Sequence, residues 1–145
     1  MNLITSVSGF LGLALIVTFC GAKPAEDTRI LTMSKNCNAV DADTKIVLQY
    51  QVPSSDSGKC LMLCYLKELK MLDSNEKYSE SLSLEAFKGF WTQYSADVLQ
   101  EVNSKAAIFA KGIDSKSGTC DYGYEIMKFI NAEFIRKSLL KTPSS

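Results

Sequence analysis

Five cysteines, at positions 20, 37, 60, 64 and 120, constrain this 145-residue chain more tightly than any other feature. Their number is odd, and it becomes even once the amino-terminal segment is read as a leader. The first 22 residues contain no Lys, Arg, Asp or Glu, and Val7 to Phe19 is an apolar run too short, with its polar flanks, to span a bilayer. Cys20-Gly21-Ala22 places small residues at the −3 and −1 positions of a cleavage point before Lys23. The expectation is a signal peptide over residues 1–22 and a secreted, extracellular single domain over residues 23–145. Cleavage removes Cys20 and leaves four cysteines in an oxidising compartment, where two disulfides are the default.

Cys60 and Cys64 lie four positions apart, so in a helix their Cβ vectors run side by side, a poor geometry for bridging each other. Two pairings stay open: Cys37–Cys64 with Cys60–Cys120, or Cys37–Cys60 with Cys64–Cys120. Either one ties the Cys60–Cys64 segment to two distant parts of the chain. Each bridge closes a long loop and contributes on the order of 3–4 kcal/mol by the loop-entropy argument.

Hydrophobic periodicity predicts an all-α protein of about six short helices. Ile30, Met33, Cys37 and Val40 recur at helical spacing from Glu26 to Val40, and Asp41 to Tyr50 forms a second short segment around Ile46 and Val47. Pro53 and the run Ser54-Ser55-Asp56-Ser57-Gly58 interrupt the pattern. A third helix from Lys59 to Met71 is apolar over a wide arc and is expected at the centre of the fold. Ser83 is the expected cap of a helix carrying Leu84, Phe87, Phe90 and Trp91, and Ser95 of one that carries Val98, Leu99, Val102, Ala106 and Phe109 and stops at Gly112. The last helix begins near Thr119 or Cys120 and is apolar on two faces, so it must be sandwiched. Thr44 to Val52 is rich in β-formers, but no segment alternates with period two long enough to commit to a strand.

The inventory of reactive groups is narrow. The chain has no His, which removes the commonest general base and the commonest metal ligand, and with them Ser-His-Asp, Cys-His and His-Asp hydrolases. The carboxylate pairs Asp41/Asp43 and Glu76/Glu80 lie in polar stretches and read as solvated helix ends and turns. Cysteine spacings of 22, 3 and 55 residues make no zinc knuckle. The 16 basic and 16 acidic side chains balance and all follow residue 22, so there is no basic excess to attract nucleic acid or an acidic membrane. The expectation is a non-enzyme with no cofactor, no metal, no nucleic-acid partner and no stable membrane insertion. Aromatic and methionine side chains are abundant for so small a domain, and they either fill a dry core or wall an apolar cavity.

The stretch Lys59-Cys60-Leu-Met-Leu-Cys64-Tyr-Leu-Lys-Glu-Leu-Lys-Met-Leu-Asp73 resembles the third helix of insect odorant-binding proteins of the pheromone-binding type, in which three residues separate the second and third cysteines. Gly118-Thr-Cys120-Asp-Tyr-Gly-Tyr-Glu-Ile-Met-Lys-Phe129-Ile130 resembles the last helix of that family, and Cys37 fits its first cysteine. The resemblance implies the interlaced pairing Cys37–Cys64 and Cys60–Cys120. It also places Phe129 where the family has its sixth cysteine and Phe109 where it has its fourth, so this is a four-cysteine variant in which an aromatic contact stands in for a third bridge.

The implied function is a carrier that solubilises an odorant, pheromone or other small lipophile in an internal cavity. By similarity and apolar face, the implied wall is Leu61, Phe87, Trp91, Val98, Val102, Tyr122, Ile126 and Phe129, with the tail after Asn131, notably Phe134, closing one mouth. A hydroxyl from Tyr122 or Tyr94 is the candidate to orient a ligand oxygen. Beyond the small hydrophobic molecule, a receptor or a second copy of the chain is left open as a partner. The rival is a secreted helical signalling or cytokine-like protein, which would have longer helices and act through a surface patch.

Overall fold

The computed structural model describes residues 24–140, so the leader expected over residues 1–22 lies outside the described residues. Six α-helices follow one another: α1 (Pro24–Asn36), α2 (Asp41–Leu48), α3 (Asp56–Glu68), α4 (Glu80–Phe90), α5 (Ala96–Gly112) and α6 (Cys120–Arg136), with a 3₁₀ turn at Asp114–Lys116 before α6. Among the described residues there is no strand, and extended backbone pairs in an isolated antiparallel bridge between Leu72 and Tyr78.

Local chemistry sets the boundaries. Ser55, Ser95 and Thr119 cap α3, α5 and α6 by accepting hydrogen bonds from the N–H groups of Gly58, Val98 and Tyr122. The run 54–58, expected as a break, therefore supplies the cap and first turn of α3, which begins three residues earlier than Lys59. The expected cap of α4 is also corrected. Ser79 accepts from Leu82 N–H, while Ser83 lies inside the helix, fully buried, and donates to the Met71 carbonyl at 3.1 Å. Left-handed backbone at Asn38, Tyr50 and Lys70 explains why α1, α2 and α3 stop short of Val40, Tyr50 and Met71.

Helix α3 occupies the centre, burying Leu61, Met62, Leu63, Tyr65 and Leu66, and α6 runs across it. Their closest approach depends on Gly123, where a Cβ would collide with the Leu63 N and Cα atoms. One turn earlier in both helices, Cys60 and Cys120 are bonded with their Cα atoms 4.3 Å apart. The second disulfide, Cys37–Cys64, fastens the end of α1 to α3 at a Cα separation of 5.9 Å. The bridges are thus interlaced in the order the resemblance implies.

Helix α6 is sandwiched as its two apolar faces require, against α3 on one side and α5 on the other. Its buried residues Tyr122, Ile126, Ile130 and Phe134 repeat every four positions and join Phe87, Trp91, Leu99 and Val102 in the larger hydrophobic cluster. Full burial of each such side chain contributes about 1.5–3 kcal/mol. The linker before α4 is pinned by buried polar groups: Tyr78 N–H donates to the Tyr122 hydroxyl at 2.8 Å, and Tyr78 Oη donates to Asn103 Oδ1 at 2.7 Å. Asp43 departs from the solvated reading of the Asp41/Asp43 pair. It is 3% exposed and accepts from the hydroxyls of Ser55 and Ser57, so a buried carboxylate locks α2 against the start of α3.

Candidate ligand pocket

A second, smaller hydrophobic cluster of Met33, Leu61, Met62 and Tyr65 joins α1 to α3. Leu69, Phe90 and Met127 pack against both clusters, and at this seam lies a cavity of about 70 Å³. Helix α1 contributes Ile30 and Met33, a pair one turn apart on its inward stripe. Val47 of α2 and the following Tyr50, Gln51 and Val52 form a second wall, placed there by the positive φ at Tyr50 that turns the chain after α2. Met62, Tyr65 and Leu69 come from α3 and its end, Phe90 and Trp91 from the end of α4, and Met127, Ile130, Asn131 and Phe134 from α6. Leu140, beyond α6, completes the lining.

No acidic or basic side chain is among these lining residues. Among the described lining residues, polar capacity is confined to Tyr50, Gln51, Tyr65 and Asn131. The Tyr65 hydroxyl is committed inward, sharing a hydrogen bond with the buried Ser34 hydroxyl and lying 3.4 Å from the Ile30 carbonyl. Burial raises its pKa above the usual 10.0, partly offset by the Ser34 bond, so it stays neutral. Among the described residues the wall therefore presents apolar surface with few polar groups.

The aromatic side is cross-braced. Trp91 lies 4.8 Å from Phe87, 4.9 Å from Phe90 and 5.2 Å from Phe134 between ring centroids, and Tyr94 sits 5.5 Å from Phe134. Arg29 donates to the Gly89 carbonyl at 2.8 Å, fastening α1 to the carbonyl end of α4 beside the pocket.

Of the residues singled out from sequence, Trp91 and Phe134 line the cavity. Phe87 stands behind them, and Leu61 belongs to the smaller cluster without facing the space. Val102, Tyr122 and Ile126 are in the larger core, and Val98 is half-buried on α5. Phe129 is half-buried and stacks on Phe109. Phe134 is not in a tail: α6 continues past Asn131 to Arg136 and carries Phe134 into the core. The Tyr122 hydroxyl accepts from a backbone N–H, and Tyr94 Oη donates to the Leu139 carbonyl at 3.1 Å, so both oxygens are engaged within the fold.

Sequence reasoning missed the α1, α2 and loop contributions. The stripe Ile30/Met33 was a visible signal, but only the packing of α1 against α3, with α6 contributing to the same lining, gives it a cavity to face.

The sequence profile of the PBP/GOBP family matches residues 22–129. The chain belongs to that family. Its fold agrees: an odorant-binding protein from Drosophila melanogaster superposes with a TM-score of 0.62 at 22% identity, covering 80% of this chain and 95% of that one. A comparison with curated protein sequences returned no match. Among the described residues no helix is long and apolar enough to cross a membrane, and no group of three or more Cys, Asp or Glu is placed to hold a metal ion.

Proposed function

We propose that this PBP/GOBP protein is a secreted carrier, a single domain over residues 23–145 after removal of residues 1–22, that holds a small hydrophobic molecule in the seam between its two apolar clusters. The observation that carries the reading is the cavity itself, walled by Trp91, Phe134, Met62 and Met127 with no charged group among the described lining residues. An odorant, a pheromone or another lipophile is the cargo. The family and the name of the Drosophila protein support that class. Binding runs by mass action: the guest leaves water and gains about 25 cal/mol for each Å² of apolar surface buried. Leu61, Phe87, Val102 and Ile126 act as the shell that holds the lining in place. No chemical step and no cofactor enter the cycle.

Short helices, the longest among the described residues spanning 17 residues, favour the carrier over the signalling alternative. Binding of N-phenyl-1-naphthylamine to the oxidised protein, and its displacement by long-chain alcohols or esters, tests the reading. Saturable, displaceable binding is expected. A folded protein that takes up no apolar probe overturns it.

A further inference from the structure

The cavity of about 70 Å³ is far below the roughly 300–1,000 Å³ of ligand pockets, and smaller than the about 150 Å³ at which a buried apolar cavity admits benzene. Given the carrier reading, on which this inference rests, the wall must yield when cargo enters. The lining side chains are of two kinds. Trp91 and Phe134 pack in a ring cluster with Phe87 and Tyr94, where each ring is hemmed in by its neighbours. Next to the smaller cluster are Met33, Met62 and Met127, one from each of α1, α3 and α6, so unbranched side chains converge from three helices. A methionine has three rotatable bonds and a polarisable thioether, and it refills irregular space at small cost.

We propose that Met33, Met62 and Met127 are the size-determining residues of the pocket: they fill it when it is empty, withdraw along their own helices as cargo enters, and so let one protein accept unbranched lipophiles over a range of lengths against a fixed aromatic wall.

The test is a displacement series of straight-chain alcohols from hexanol to dodecanol against N-phenyl-1-naphthylamine. The wild-type protein is compared with Met33→Ile, Met127→Ile and the double variant. Isoleucine keeps apolar volume but fixes the first side-chain torsion in a helix. Met71→Ile is the control, because Met71 is fully buried in the larger cluster and does not line the cavity. In the wild type and the control, affinity rises about fourfold per added methylene across the series. In the double variant the rise stops part-way, and the longest alcohols bind about tenfold or more weaker than in the wild type.

A second readout needs no substitution. In protein labelled at the methionine methyl carbons, the resonances of Met33, Met62 and Met127 shift with alcohol length while that of Met71 does not. Probe binding with length profiles and methyl resonances the same in all forms overturns the assignment and leaves the carrier reading standing. Absence of any probe binding in the wild type overturns both.

Discussion

Phe109 of α5 and Phe129 of α6 lie face to face, ring centroids 4.5 Å apart and planes within 11°. No disulfide joins these two helices, and the stack lies at the point where the resemblance places a cysteine pair. A double-mutant cycle with Phe109→Ala and Phe129→Ala is expected to give a coupling of about 0.5–1.5 kcal/mol in urea unfolding. The paired change Phe109→Cys with Phe129→Cys is expected to oxidise to a third disulfide, read by mass and by loss of free thiol. Two persistent free thiols in the folded double variant would refute the positional equivalence.

Gly123 is the tightest point between α3 and α6. Gly123→Ala forces a Cβ onto the Leu63 backbone, and a loss of about 1–3 kcal/mol or more in unfolding free energy is expected. Gly89, in α4, has open space around its missing Cβ, and Gly89→Ala should stabilise by about 0.5–1 kcal/mol. Equal effects from the two substitutions would contradict the close approach.

Acid should weaken the carboxyl-terminal end of the fold. Hydrogen bonds from Lys105 and Lys137 hold the Glu101 carboxyl at about 2, below its usual 4.5, and Arg136 lowers Glu133. A depressed folded-state pKa means that the contribution is full above the ordinary carboxylate range and is lost as pH falls from about 4.5 towards about 2. With no His in the chain, little change is expected between about pH 8 and 5. Thermal melts across this range check both statements. Glu101→Gln should flatten the acid limb, and an unchanged limb would sink the assignment.

Tyr122→Phe removes the oxygen that accepts the Tyr78 N–H. A cost of about 1–3 kcal/mol in stability is expected, with the affinity for apolar probes unchanged in the folded protein. Lost affinity at retained stability would return Tyr122 to the pocket.

Much of the fold is legible in the sequence because local rules decide it. The Ser95 cap, the start of α6 near Thr119, the wide apolar arc of α3 and the two-faced α6 each follow from residues a few positions apart. Ser79 and Ser83 both sit at serviceable capping positions, and the choice between them rests on the Met71 carbonyl that Ser83 reaches across the fold. Asp43 looks solvated in the sequence because its partners, Ser55 and Ser57, are twelve and fourteen positions away. The pocket is the least legible part. Phe87, Tyr122 and Ile126 carry the same apolar signal as Trp91 and Ile130, and only the packing of α1 and α2 against α3 separates core from lining.

Trp91 is the chain's single tryptophan, and it lines the cavity. Its emission is therefore a built-in reporter of what enters. Titration with N-phenyl-1-naphthylamine should quench Trp91 and raise probe emission by energy transfer, saturating at one probe per protein and reversing when a long-chain alcohol is added. Unquenched Trp91 emission with no saturable transfer in the folded, fully oxidised protein would contradict an apolar binding site at the seam.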